Sequence, residues 1–445
     1  MFFDDNENSI NEEKSKINYD ELDYELLDKL KRGEINVEET VKNLEKLYKD
    51  ELLDYSEKHC PSNDLIFAQC YHQLVHSSSL QEILDKEQNY APKISKLMNR
   101  MEKQLSDMNE MHLEVMDSKI NNLDVDGTTS DDINELLKQQ YSSTNLIRKQ
   151  YESELEATRG HQKNEFREYV TAKIGQKLLD SPQTSIGNKS AMFPNVNINR
   201  NADRREESFT IHLGSQLKST HNIRILAADL VELCGPIINE NNELVINGNI
   251  QLGIYSSSLS GVVCLVPSSS QIIANQKIIR SANLSTEFHF DQIDAQLEKI
   301  QNDLKESGES RLRPGDFFIT KHSNLQCHLI FHLVYDDSSA DMNSRHPCIL
   351  GLRNILKIAN RYDITQLTIP ALLKTEMSEE MTLSWCLRRA ELVLKCTKGF
   401  MIENSTGSEL STLQLLLPAD ISDELFMSIS QMIPQIFRVA NTKFL

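Results

Sequence analysis

Ile349-Leu-Gly-Leu-Arg-Asn-Ile-Leu-Lys-Ile-Ala-Asn360, followed shortly by Leu367-Thr-Ile-Pro-Ala-Leu372, decides the fold class of the C-terminal half. Ile349, Leu352, Ile355, Leu356 and Ala359 recur at helical spacing, which predicts an amphipathic helix with one buried face. The short apolar run after it predicts a strand. A helix feeding a buried strand is half of a β/α unit, and the same alternation recurs on both sides.

Upstream, Ser208–Gly214 places Phe209, Ile211 and Leu213 on one face of a strand, and Ile223–Ala227 predicts a second. Gln251–Val266 begins amphipathic and ends apolar. Phe290–Leu304 reads as a helix. Asp316–Thr320 and Leu325–Val334 read as strands around a His-Ser-Asn turn. Downstream, Leu383–Cys396 is a helix, Thr412–Leu417 a strand and Asp423–Val439 a last helix. Alternating elements of this kind imply a three-layer α/β/α domain over 208–445 with a largely parallel sheet.

The first half reads differently. Residues 1–18 are polar and acidic, a composition expected of a disordered tail. A helical region is expected over 19–90. Asn36 and Glu39 have capping-box spacing, and Cys60–Asp64 is a break with a new cap. Ile94, Met98, Met101, Leu105, Met108, His112 and Val115 then alternate at spacings of four and three, the seam of a coiled coil. After a polar interruption at 124–130 a second stripe runs through Ile133, Leu137, Tyr141, Thr144, Ile147, Tyr151 and Leu155. Together they predict an antiparallel coiled-coil hairpin over 91–180. Ile94, Met98, Met101, Leu105, Met108, Tyr141, Tyr151 and Leu155 are its candidate contact residues. Such a seam closes on itself or accepts a partner helix. Residues 181–207 read as a linker rich in Asn and Ser.

Charge narrows the function classes. The net charge is -19. It is carried mainly by residues 1–207, with 41 acidic against 27 basic side chains. An extended basic nucleic-acid groove is therefore not the expectation. Arg353, Lys357 and Arg361 line one helix face, and Arg388, Arg389, Lys395 and Lys398 another. They are a candidate patch for phosphate, RNA or an acidic partner, set against ordinary solvated charge. The eight cysteines show no C-x-x-C pair and mostly sit in apolar runs, as small hydrophobes do in a reducing compartment. Met1-Phe-Phe-Asp-Asp5 turns acidic at once, and no run approaches the roughly 18 apolar residues of a membrane span. A cytoplasmic protein without direct membrane insertion is expected.

The motifs of chemistry are few. Asp124, Asp126, Thr128, Ser130, Asp132 and Glu135 place oxygens at positions 1, 3, 5, 7, 9 and 12 of a calcium-loop pattern. Thr129 stands where that pattern needs Gly, and Asp131 where it needs an apolar residue. A polar turn capping the second helix accounts for the same residues. His328 and His332 are four apart, but on a strand that spacing separates them by roughly 13 Å. No P-loop, G-x-G-x-x-G or G-x-S-x-G is present, so no catalytic set, metal or cofactor is expected.

Several longer strings are distinctive: Glu207-Ser-Phe-Thr-Ile-His-Leu-Gly214, Leu352-Arg-Asn-Ile-Leu-Lys357, Asp363-Ile-Thr365, Met377-Ser-Glu-Glu-Met-Thr382, Trp385-Cys-Leu-Arg-Arg-Ala-Glu-Leu-Val393 and Pro434-Gln-Ile-Phe-Arg-Val439. They resemble subunit 3 of the FERRY complex, densely over 205–440. The helical half contributes fragments such as Tyr71-His-Gln-Leu-Val-His-Ser77. The resemblance implies a non-catalytic subunit of an effector of the early-endosomal Rab GTPase that links messenger RNA to endosomes. The partners it implies are other FERRY-like subunits, above all a coiled-coil scaffold subunit.

A second resemblance concerns fold. Leu312-Arg-Pro-Gly-Asp-Phe-Phe-Ile-Thr320 with the strand to Val334 is similar to the central strand pair of a macro domain. By that resemblance Asp229 stands at the adenine-contacting position, and Asn239 and Asn242 echo the ribose-side motif. This carries an alternative function, binding of ADP-ribose or a nucleotide, or its hydrolysis. Against it, Ala371-Leu-Leu-Lys-Thr-Glu376 contains no Gly, whereas a diphosphate cradle needs Gly for close backbone approach.

Overall fold

The computed structural model describes residues 28–33, 36–38, 40–42, 44, 62–121, 130–180, 205–213, 219–238, 244–245, 248–256, 258–269, 272–308, 311–335, 342–374, 377–378, 381–404 and 409–437. The chain divides into two units, Met1–Cys70 and Tyr71–Leu445. The predicted tail at 1–18 lies outside the described residues, as does Glu39. In the first unit, Asp28 pairs with Arg32 one helical turn on. The Ser62 hydroxyl accepts from Leu65 N at 3.2 Å, so the break at Cys60–Asp64 does supply a helix cap. That helix, α1 (Asn63–Val75), runs across the boundary between the units.

The second unit begins with two long helices, α2 (Leu80–Asn121) and α3 (Ser130–Asp180). Helix α2 is continuous through residue 90, so the boundary expected at 90/91 falls inside an element. Cross-helix contacts fix an antiparallel register. Gln140 donates to the His112 carbonyl at 3.0 Å, the Tyr151 hydroxyl to Gln104 at 2.6 Å, and Gln162 to the Tyr90 carbonyl at 3.2 Å. Lys86 pairs with Glu165 at 2.8 Å. Ile94, Leu97, Met98 and Leu155 form the buried part of the seam. The seam departs from its predicted line toward the tip. His112 and Ile133 of the predicted line are half-buried, but Val115, Leu137 and Tyr141 are exposed, and Met116, Lys119, Leu136 and Gln140 are half-buried in their place. The covered positions 108, 112, 116 and 119 follow a period nearer 3.6 than the 3.5 of a strict heptad, so the two lines part toward the tip.

The α/β part carries a seven-stranded sheet, ordered β1-β2-β9-β8-β5-β7-β6. Its strands are β1 (Glu206–Leu213), β2 (Ser219–Ala227), β5 (Leu259–Pro267), β6 (Phe317–Lys321), β7 (Leu329–Tyr335), β8 (Ile364–Pro370) and β9 (Thr412–Leu417). A two-stranded piece, β3 (Ile237–Ile238) with β4 (Leu244–Val245), stands apart. The five central strands are mutually parallel, and the two edges, β1 and β6, run antiparallel. Strand β1 begins at Glu206, so the sheet takes in the last residues of the expected linker.

The helices are α4 (Leu230–Cys234), α5 (Gly248–Ile254), α6 (Gln276–Asn283), α7 (Ile293–Glu306), α8 (Pro347–Arg361), α9 (Leu383–Glu403) and α10 (Asp423–Phe437). Strand β5 shows how they form layers. Val263 and Leu265 point into the core shared with α8, α9 and α10, while Val262 and Cys264 point into the core under α4, α6 and α7. Burial on both faces is what a central parallel strand requires. The expected α plus α/β class, with helices on both faces of the sheet, is the observed one.

Candidate functional site

Strands β2, β5, β8 and β9 are parallel, so their carboxyl ends open on the same edge of the sheet. A cleft of about 400 Å³ lies there. Crevices of this kind are the usual ligand position in open α/β sheets. Its walls carry Asp229, Lys277, Lys374 and Asp420 over an apolar floor of Val263, Leu265 and Leu416. Burial, then the neighbouring Arg389 charge, lowers the pKa of Lys374.

Asp229, the residue expected at the adenine position, lines this cleft. Its carboxylate is the N-cap of α4 and accepts from Val231 N at 2.6 Å. Asn239 and Asn242 lie outside the described residues. The loop after Pro370 packs Ala371, Leu372 and Leu373 into the core, each about 1% exposed. Leu373 has φ of 49°, a left-handed conformation that favours Gly. The structure thus places a buried leucine in the loop whose sequence lacks glycine.

The basic faces do not assemble as a free patch. Arg353, midway along α8, pairs with Glu403 at the C-terminal end of α9, and Lys395 pairs with Glu391 at 2.6 Å. The side-chain hydrogen bond to Glu403, then its charge, raises the Arg353 pKa, and the same hydrogen bond lowers that of Glu403. Arg389 is 5% exposed, its guanidinium 4.6 Å from the Trp385 ring centre. Lys398 donates to the Ile436 carbonyl at 2.7 Å. Lys357, Arg361 and Arg388 are the other basic members. Sequence spacing could not show this, because Arg353 and Glu403 are fifty positions apart.

Of the calcium-pattern residues, Ser130, Asp132 and Glu135 lie in the first turns of α3, and Asp124, Asp126 and Thr128 lie outside the described residues. Among the described residues no group of three or more His, Cys, Asp or Glu is arranged to hold a metal ion.

The histidines separate as strand geometry predicts. His328 accepts from Ser260 N at 2.9 Å through Nδ1 and donates to the Ile250 carbonyl at 2.7 Å through Nε2, which fixes its tautomer. His332 meets His322 instead. The Thr320 hydroxyl lies 2.8 Å from His322 Nε2 and 2.9 Å from His332 Nε2. A hydroxyl has one proton to give, so at least one ring carries its proton on Nε2. Burial pushes both histidines down to about 3.

One cluster is nearly invisible in the sequence. The Tyr71 hydroxyl donates to Glu87 at 2.9 Å. His289 Nε2 is 3.7 Å from the same carboxylate, and Tyr255 Oη is 2.9 Å from His289 Nδ1. Beside it, Glu287 accepts from Ser323 N at 2.8 Å. Burial, reinforced by Glu87, raises the pKa of both tyrosines. This polar knot joins Tyr71 and α2 to the α/β domain. Nearby, Arg159 donates to the Asn283 carbonyl at 2.7 Å, Lys163 to the Phe290 carbonyl at 2.7 Å, and Ser95 to the Leu284 carbonyl at 3.1 Å. The segment 283–290 is therefore the seat of the hairpin. Only Tyr71, inside the string Tyr71–Ser77, carried any earlier signal.

Fold and geometry define a class: an α/β/α domain to which a long helical hairpin is hydrogen-bonded through segment 283–290. The comparisons place it further. The family model for Ferry endosomal RAB5 effector complex subunit 3 matches residues 4–313 and 305–443. Proteins of that name from Pongo abelii and Homo sapiens are each 35% identical over 478 residues, covering 97% of this chain and 86% of theirs. The Mus musculus protein is 34% identical over 479 residues. The chain belongs to the Ferry endosomal RAB5 effector complex subunit 3 family. Among solved structures, an Oceanobacillus iheyensis macrodomain with ADP is similar at 13% identity and TM-score 0.32, covering 52% of this chain and 96% of its own. The macro domain of ganglioside induced differentiation associated protein 2 is similar at 11% identity and TM-score 0.28, covering 47% and 96%.

Proposed function

We propose that the chain is a non-catalytic subunit of an endosomal Rab effector complex and works through protein–protein contacts. The observation that carries this is the 35% identity over 97% of the chain to proteins named as subunit 3 of such a complex. Two structural features support it. Arg353, Arg389, Lys395 and Lys398 of the candidate basic faces are engaged within the chain, and the hairpin leaves 99–121 and 130–154 without a buried residue. In this reading the protein is cytoplasmic and reaches early endosomes through its partners, other FERRY-like subunits and above all a coiled-coil scaffold subunit. It serves messenger RNA transport through them. No helix among the described residues is long and apolar enough to cross a membrane.

Affinity purification of the full chain from its own cells, with mass spectrometry, is the test. Recovery with an endosomal Rab GTPase and sibling subunits is expected. A chain recovered alone overturns the reading.

A second reading takes the cleft beside Asp229 as a site for ADP-ribose or a nucleotide. Its support is the position of that cleft at the carboxyl ends of the parallel strands, with Lys277 and Lys374 on its walls. A thermal shift with ADP-ribose decides it. Ligand at a hundred times its dissociation constant adds about 2.7 kcal/mol of stability, and an unchanged melting midpoint removes the reading.

A further inference from the structure

Near the α/β domain the hairpin is well covered. Toward the tip no described residue of 99–121 or 130–154 is buried. Leu113 is 64% exposed and Tyr141 71%, and Ile120 and Leu137 are about half exposed. Long helices in proteins owe most of their stability to a packed apolar face. Two helices alone cover only the inner part of such a face.

The register shows how these residues group. Gln140 bonds the His112 carbonyl, so the two seam positions are level. Leu113 and Tyr141 each follow a seam residue by one position. In an antiparallel pair of right-handed helices, that offset falls on the same side of both. Leu137 lies one turn before Tyr141, and Ile120 two turns after Leu113. The four make one apolar strip along one side of the tip.

Its surroundings are acidic. Glu110 and Asp117 stand a turn either side of Leu113, so acid and apolar residues alternate along α2. Over 107–121 and 130–141, seven acidic side chains face two lysines. A second copy of this tip would bring like charge against like charge.

We propose that this side of the tip is the docking surface for an amphipathic helix of a different polypeptide, one with an apolar stripe flanked by Lys and Arg. Such a helix would complete a three-helix bundle, its stripe on Leu113, Leu137 and Tyr141 and its cations opposite Glu110 and Asp117. The inference rests on the reading of the chain as a complex subunit and says which surface that role uses.

The test uses the tagged full chain in its own cells, with p-benzoylphenylalanine replacing Leu113 in one strain and exposed Lys299 in another. The expected result is a crosslink from position 113 to a foreign peptide with apolar residues every three or four positions and Lys or Arg beside them. It should be absent from position 299. The pair Leu113→Ser and Tyr141→Ser, both exposed and so harmless to folding, should lower recovery of that partner at least tenfold. Raising the salt should weaken recovery from the unaltered chain. A crosslink to the chain itself overturns the proposal in favour of self-assembly. Partners recovered without any crosslink at 113, or unaffected by the double substitution, overturn it while leaving the subunit reading intact. A chain recovered with no partner removes both.

Discussion

The Arg353 guanidinium, midway along α8, is paired with the Glu403 carboxylate at the C-terminal end of α9. That pairing holds one end of the candidate basic patch neutral. Replacing Glu403 with Gln should release the positive charge of Arg353 toward solution, beside Lys357. The expected outcome is tighter binding of single-stranded RNA by the variant than by the unaltered chain. One added phosphate contact should steepen the log–log salt dependence by about 0.7. A mobility-shift titration at several salt concentrations measures it. An unchanged slope would mean that this face meets no phosphate.

Arg159 gives a prediction about the hairpin seat. Burial lowers its pKa, and its guanidinium spends a hydrogen bond on the Asn283 carbonyl. Arg159→Ala should cost about 2 kcal/mol, the range for a hydrogen bond with a charged partner. Hydrogen exchange should speed up over 283–290, where Ser95 and Lys163 also anchor, and less over the sheet. Uniform loss of protection would show that the seat and the sheet open together.

These two cases mark what was legible. Helix α8 could be read to within two residues of its ends, because its apolar period is a local property. Strand β9 could be read without error for the same reason. The near half of the hairpin seam was legible through Ile94 and Met98. Its tip was not, because a period of 3.5 and one of 3.6 part company within a few turns. The Arg353–Glu403 pair and the Tyr71–Glu87–His289 knot depend on tertiary neighbours, which spacing does not encode. Asp229 was placed at the cleft by resemblance, but its engagement as a helix cap follows from where the short helix α4 starts, which no periodicity marks in five residues.

The buried pair His322 and His332 predicts a pH dependence. Both are held neutral, with pKa values about 3 against an ordinary 6.5. The unfolded chain takes up protons at higher pH than the folded one. Their contribution is therefore fully present above about pH 6.5 and is lost as pH falls toward 3. At pH 5 each histidine should cost about 2 kcal/mol relative to pH 7.5. Urea unfolding at both pH values, with His332→Gln alongside, isolates one of them. The variant should lose less stability on acidification than the unaltered chain. Parallel losses would show that His332 is not a source of the effect.

Leu373 brings strain and packing into opposition at one position. Its left-handed backbone should cost about 1 kcal/mol, which glycine would relieve. Its side chain, about 1% exposed, packs in the core with Leu372 and Ala371. Deleting a buried leucine side chain costs about 2–5 kcal/mol. Packing is the larger effect, so Leu373→Gly should lower stability by roughly 1–4 kcal/mol even though it restores the residue the backbone prefers. Urea denaturation reads the sign directly. A gain in stability would mean that the left-handed strain at Leu373 outweighs the packing of its side chain. A loss would mean that this loop is held by its own side chains.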